Sequence, residues 1–311
     1  MKKFLVAICV LLSVFYLTLS TPEKRPEAID YHHIKVATVP AALEKKKDIN
    51  TNAVVSLNLM NAPHKAVQVE HPQAGFIKNL KKEKIIQAKV EDGYAIAYGD
   101  VLLGEVDRVS SDSSLSDVYV ESTAIVLWDS NKIHYYIEPD LVNKTEVEKA
   151  IEIMNKTTVM EFVPIESPGM DGILFKAGNK NCYSYLGKIG GIQPIVLSQS
   201  CKVTEILHEI LHALGFIHEQ SRSDRDEYIT VLWDNILPEY FSQFQIVPDN
   251  YMITVEGTDF DFSSIMLYRP DSFSKKEGMK TMQAKGNAMF STTFDNLGKI
   301  DIERIDRVYG R

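Results

Sequence analysis

Residues 208–218 read HEILHALGFIH, and one glycine in that run decides what the chain around it can become. Ile206, Leu207, Ile210, Leu211 and Leu214 recur at helical spacing, which predicts a helix with one apolar face turned to a core. His208 and His212 stand four apart, so they stack one turn above each other on a neighbouring face. His218 lies six residues further on, and a straight helix would rotate it by about 600°, well off the first two. Gly215 removes that obstacle. It accepts a left-handed conformation that ends the helix and swings the chain back. His218 can then arrive as a third imidazole at the same point.

Three nitrogens at one point are a donor set for one Zn2+ per chain, with Zn–N distances of ~2.0–2.1 Å, and they leave a fourth position open. That open position marks a catalytic rather than a structural site. Glu209, beside the first ligand, is placed to act as base toward a water held there. A buried helix with incidental histidines is the competing reading. With His at 8 of 311 residues, HExxH alone arises by chance in about one such chain in a hundred. Requiring Gly215 and His218 as well lowers this to on the order of one in a hundred thousand. The site therefore points to hydrolysis of a carbonyl compound, a peptide bond foremost.

The first twenty residues, MKKFLVAICVLLSVFYLTLS, have a Lys2–Lys3 start, a long apolar stretch and small residues at Thr18 and Ser20. They read as a signal peptide (1–20), with an uncleaved membrane anchor as the alternative; both readings export the rest of the chain. A secreted protein with no stable membrane association after signal cleavage is expected. Export makes the cysteines readable. Cys9 is lost with the signal, leaving Cys182 and Cys201 as one pair, a disulfide in an oxidising compartment or else two free thiols. The net charge of −8 and the absence of a basic cluster argue against nucleic acid as a partner.

Residues 21–50 are charged and Pro-containing, and 51–107 read as a small helix-and-strand unit ending in YAIAYGDVLLGEV. SSDSSLSD at 110–117 is the best linker and a natural site for nicking. From Val118 the order is strand (IHYYI), helix (144–157), then strands at MEFVPI and GILFKA, ahead of the histidine-bearing helix. That order predicts a sheet with helices packed on it. Asn143 and Asn155 head two Asn-x-Thr sequons, which matter only in a eukaryotic secretory pathway.

The run continues HEQSRSDRDEYI, and here the sequence resembles the astacin family of zinc endopeptidases, with signature HExxHxxGxxHExxRxDRD. His208, Glu209, His212, Gly215, His218, Glu219, Arg222, Asp224, Arg225 and Asp226 all match it. The resemblance spans residues from about 125 onward and takes in EFVPI and CYSYLGKIGG, the latter similar to the segment carrying the family's edge strand. It implies a metzincin-like α+β fold: a twisted, mostly parallel sheet with an antiparallel edge strand, an active-site helix, a Met-turn and a C-terminal subdomain. SIMLY at 264–268 resembles the Met-turn, so Met266 is expected as an apolar floor below the metal. Tyr268 is expected to supply a hydroxyl that rests on zinc and swings to stabilise the oxyanion. Glu219, by the same resemblance, meets the new N-terminus after activation.

The resemblance also implies a zymogen, with a pro-segment at 21–118 and a catalytic domain at 119–311. The family blocks its zinc with an aspartate in FxGD. The match here is AYGD, with Ala97 where Phe is usual and Asp100 as the blocking ligand; an ordinary Gly-Asp turn is the alternative. Two departures stand out. Leu267 replaces the usual His of the Met-turn, and the cysteines of a second family disulfide, at the position of Val159 and near the C-terminus, are absent. The C-terminal segment is then expected to be held by packing alone. The expected partners are a protein or peptide substrate and an activating protease. A catalytically silent zinc-containing peptide-binding protein is the runner-up reading, although neither a ligand nor the base is missing.

Overall fold

The computed structural model describes residues 54–55, 85–105, 117–121, 125–169, 171–291 and 296–310. The expected signal peptide, most of the expected pro-segment before residue 85, and most of the linker at 110–117 lie outside the described residues.

The strands, in chain order, are β1 (Val54–Val55), β2 (Ile85–Glu91), β3 (Tyr94–Ala97), β4 (Val101–Glu105), β5 (Asp117–Glu121), β6 (Lys132–Ile137), β7 (Glu161–Pro164), β8 (Gly172–Ala177), β9 (Tyr183–Tyr185), β10 (Ile192–Leu197), β11 (Ile229–Val231) and β12 (Met282–Ala284). The helices are α1 (Lys144–Thr157), α2 (Val203–Ala213) and α3 (Lys299–Tyr309). One ten-stranded sheet has the order β1-β5-β2-β3-β4-β9-β10-β8-β6-β7, and β11 pairs with β12 in a separate ribbon. Within it β7, β6, β8 and β10 are parallel, and β9 runs antiparallel to β10. This is the mostly parallel sheet with an antiparallel edge strand expected for a metzincin-like protease.

The stretch before residue 106 changes what that edge means. Strand β4 pairs with β9 in parallel, Val101 opposite Ser184 and Leu102 opposite Tyr185, so the catalytic sheet continues into β4, β3, β2 and β5. Strand addition of this kind satisfies the N–H and C=O groups that an edge leaves open. The helix expected within 51–107 is not found among the described residues, where that stretch contributes strands only.

Helices α1 and α2 bury their apolar faces in one core. Val147, Ala150, Ile151 and Met154 of α1 meet Ile206, Leu207, Ile210 and Leu211 of α2, with Ile133, Ile173 and Ile195 from the strands beneath. Each face comes from residues three and four apart on the helices and two apart on the strands. Cys182 and Cys201 are joined in a disulfide that ties the residue before β9 to the turn before α2. Asn143 is buried and donates to the carbonyls of Cys201 and Gln199, while both amide atoms of Asn155 bond the backbone of Phe162. Both sequon side chains are therefore engaged by backbone groups, Asn143 in the interior and Asn155 at the surface.

Packing alone does not hold the C-terminal segment, contrary to expectation. Arg304 on α3 is buried and pairs with the buried carboxylate of Glu219, which also takes Arg222 Nη1 at 3.2 Å. Asp301 accepts from Ser264 Oγ at 2.6 Å and from the N–H of Ile265 at 3.2 Å. Tyr309 donates to the carbonyl of Leu214 at 2.7 Å, and Asp306 accepts from the N–H of Val159, at the position where the missing cysteine would stand. Polar groups that are buried and matched take over where the covalent link is absent. Arg304→Ala leaves Glu219 buried with one cation fewer, and the expected loss is about 3 kcal/mol of unfolding free energy, read from urea titration.

Candidate metal centre

Helix α2 is the platform of the site, and its end is fully satisfied. Gly215 adopts φ +94°, and a Cβ there would lie 2.9 Å from Leu127 Cδ2 and 3.1 Å from Ile125 Cγ2. Both backbone conformation and space demand glycine. The carbonyls released by the helix end each find a donor: Ala213 takes Trp128 Nε1, Leu214 takes Tyr309 Oη, Gly215 takes Thr254 Oγ1 and Phe216 takes His212 Nδ1. The chain then turns so that His218 faces the two helix histidines, as its spacing from Gly215 predicts.

All three imidazoles are buried. His208 Nδ1 bonds the carbonyl of Ile265 at 2.8 Å, and His212 Nδ1 that of Phe216 at 2.8 Å. Those bonds fix the tautomer and leave each Nε2 with its lone pair turned inward. Asp100 completes the cluster: its Oδ1 lies 3.1 Å from His212 Nε2, and its Oδ2 lies 3.3 Å from both His208 Nε2 and His218 Nε2. His208 Nε2 and His218 Nε2 are 3.1 Å apart, and one ligand atom from each of the four side chains lies within 4.8 Å of the others. Four donors around a zinc with ~2.0–2.1 Å bonds stand about 3.3 Å from one another. Three neutral nitrogens and one carboxylate at these separations fit one Zn2+.

The electrostatics follow from burial. Desolvation alone would raise the pKa of Asp100, but His218 and His212, wherever they carry a proton, and hydrogen bonds from His208 and His212 hold it well below the usual carboxylate range. Burial depresses His212 to about 4 and lowers His218, so both are neutral and ready to ligate. His208 goes the other way: burial lowers it, and the Asp100 carboxylate more than offsets that. Glu209 is fully buried, and neither of its oxygens has a hydrogen-bond partner among the described residues. Burial, then the negative charges of Asp100 and Glu205, push its pKa well above the usual value. A buried, unpartnered carboxylate costs stability, which marks it as retained for chemistry.

Met266, expected below the metal, is buried, and its carbonyl accepts from the N–H of Glu219 at 3.0 Å. Tyr268 packs against His218 with ring centroids 4.8 Å apart. Its hydroxyl lies 3.1 Å from the carbonyl of Tyr98 and 2.9 Å from Gln243 Oε1. By resemblance that hydroxyl was expected on the metal; here the carboxylate of Asp100 fills the place among the imidazoles instead. Glu219 is engaged by Arg304, by Arg222 and by the N–H of Asp261. Gln220 and Gln243, which anchor Tyr268 at its N–H and its hydroxyl, were missed in the sequence. Gln220 gave no signal within the polar run HEQSRSD, and Gln243 only that of an amide between Phe241 and Phe244.

The astacin family model, which describes a family of peptidases, matches residues 120–310. The chain belongs to the astacin family. It is 30% identical over 251 residues to zinc metalloproteinase nas-4 of Caenorhabditis elegans, covering 76% of this chain and 78% of that protein. It is 31% identical over 262 residues to meprin A subunit alpha of Mus musculus, covering 81% of this chain and 33% of the relative. The chain spans about a third of the length of nas-13 and nas-15 and about half of nas-6. Among solved structures, the hatching enzyme zinc-protease high choriolytic enzyme 1 of Oryzias latipes superposes with a TM-score of 0.53 at 30% identity, covering 60% of this chain and 99% of that one.

Zinc is the metal of this astacin-family site. Protons and zinc compete for the same Nε2 lone pairs, so zinc content measured after dialysis is expected to fall as the pH drops from 7 toward 4. His212→Ala is expected to lower it well below one per chain at pH 7.

Proposed function

We propose that the chain is a secreted zinc endopeptidase made as a latent precursor, with a signal peptide at 1–20, a pro-segment at 21–118 and a catalytic domain at 119–311. One observation carries the reading: Asp100, from the pro-segment, lies among the three histidine Nε2 atoms at 3.1–3.3 Å, beside a buried Glu209 that nothing else uses. A carboxylate there fills the position a water needs, so the catalytic base has no substrate for its proton transfer.

His208, His212 and His218 hold the ion, which when bound supplies Lewis acidity for a carbonyl and an attacking water. Glu209 takes the proton of that water as attack proceeds and returns it to the departing amine. The like charge of Asp100 helps to keep Glu209 protonated, so departure of that carboxylate frees Glu209 to take up a proton. Tyr268 donates its hydroxyl to the oxygen of the tetrahedral intermediate. Burial, then the charges of Asp100 and Glu209, hold its pKa well above the usual value, which keeps the phenol protonated. An extended peptide adds to β9 by strand pairing, the edge that β4 occupies in the latent chain.

The pro-segment straps both sides of the cleft. Asp92 accepts from the backbone N–H and Nδ2 of Asn179 and from Tyr183 Oη, while Lys89 Nζ reaches the carbonyl of Glu239. Strand β5 (Asp117–Glu121) spans the junction at which an activating protease cuts. The new N-terminal amine then joins the Glu219 cluster. The acceptor left over there is Asp261 Oδ2, buried and with no partner among the described residues. A Cβ on Gly298 would lie 3.2 Å from it and from Asp301 Oδ2, so both carboxylates face one spot.

After trypsin nicking, the chain is expected to cleave a quenched peptide, and Glu209→Ala to lose about a thousandfold or more of kcat with zinc retained. A variant that stays active, or activity that survives 1,10-phenanthroline, overturns the mechanism. In the uncut chain, Asp100→Ala is expected to release only part of the activity before any cleavage, because β4 still occupies the edge of β9. Silence of both uncut and nicked chains toward a peptide library would favour a peptide-binding protein instead.

A further inference from the structure

Tyr268 is held at three points. Its N–H donates to Gln220 Oε1 at 3.1 Å, its ring packs against His218, Phe244 and Phe273, and its hydroxyl meets Gln243 and the carbonyl of Tyr98. The first two fix the ring. The third fixes where the O–H proton points, and only Gln243 belongs to the catalytic side of that contact.

We infer that Gln243 is the positioning residue for Tyr268: its side-chain amide directs the Tyr268 O–H at the backbone of whatever chain lies in the cleft. The inference rests on the oxyanion role proposed for Tyr268. One phenol carries one proton, so it cannot donate both to Gln243 Oε1 at 2.9 Å and to the Tyr98 carbonyl at 3.1 Å. Turning the amide over, which exchanges two atoms of near-equal size, places Nε2 as donor to the phenol oxygen and leaves the O–H for the carbonyl. All three groups are then satisfied, and the proton faces the occupant of the cleft.

That occupant passes directly over the pair. Gly99 has φ +106°, and a Cβ on it would lie 2.2 Å from Gln243 Oε1 and 2.6 Å from the Tyr268 hydroxyl oxygen. The carbonyl of Tyr98 stands two residues before the carboxylate that sits among the histidines, a stand-in for the backbone carbonyls of a bound peptide. When the pro-segment leaves, Tyr98 and Gly99 leave with it, and Gln243 stays. It is 4% exposed on the 3-10 stretch Pro238–Phe244. The carbonyl of Phe244 is held there by Arg225 Nη1 at 2.8 Å. A donor fixed behind a phenol both orients its proton and favours its release of charge toward a developing oxyanion.

A buried glutamine in an aromatic cluster also satisfies itself by any hydrogen bond, so the test must separate direction from mere stability. Gln243→Met keeps the volume and removes the amide. Gln243→Glu replaces the donor with an acceptor that turns the phenol proton away from the cleft. Each is made in the full chain, alone and with Tyr268→Phe, nicked with trypsin and assayed for kcat and KM on a quenched peptide. Gln243→Met is expected to lower kcat about tenfold with KM within about twofold, and Gln243→Glu to lower it further. Neither is expected to lower kcat again once Tyr268→Phe is present. Unchanged kcat in Gln243→Met, or the same loss repeated in the Tyr268→Phe background, overturns the inference. Should Gln243→Met fail to fold, Gln243→Glu decides by the same comparison. If Tyr268→Phe keeps full kcat, the oxyanion reading falls and this one with it; a Tyr268→Phe loss without a Gln243 loss sinks this one alone.

Discussion

The end of helix α2 is the constraint on which the rest of the molecule depends. A helix that stops within one residue leaves carbonyls that must be answered, and here three answers come from far along the chain, from Trp128, Thr254 and Tyr309, while the fourth is the Nδ1 of His212 within the helix. Those same donors stitch the sheet, the 3-10 segment before the Met-turn and the C-terminal helix to one turn of backbone. His218 can reach the metal position only while that turn is held. The metal centre and the tertiary fold are therefore built by the same few hydrogen bonds, and weakening either strains the other.

In the proposed zymogen, latency and catalysis share parts in the same way. The carboxylate of Asp100 uses the fourth position that a water needs, β4 uses the sheet edge that a peptide needs, and the Tyr98 carbonyl uses the phenol that an oxyanion needs. A segment that copies three features of a ligand at once can be held firmly while each contact is modest.

The helix, its apolar face, the two stacked histidines and the glycine stop were legible because each depends on neighbours within about one turn. The metal chemistry followed from those residue types alone. Asp100 was legible only through resemblance: it sits 112 residues before His212, and nothing local in AYGD distinguishes a blocking ligand from a turn. The joining of β4 to β9, the pairing of Arg304 with Glu219, and Gln243 behind Tyr268 left no local pattern at all. Each is a choice of partner across the fold, and partner choice depends on three-dimensional packing that spacing along a sequence does not encode. The expectation that packing alone holds the C-terminal segment failed for the same reason, since an isolated Arg in an amphipathic helix reads as surface charge.

Helix α3 carries a further consequence. Its Asp301 bonds the N–H of Ile265, whose carbonyl orients His208; its Tyr309 closes the turn that delivers His218. Two of the three metal ligands are thus aimed from the last helix of the chain. A chain cut before α3 would keep the whole histidine motif and lose the hydrogen bonds through which that helix orients two of its donors.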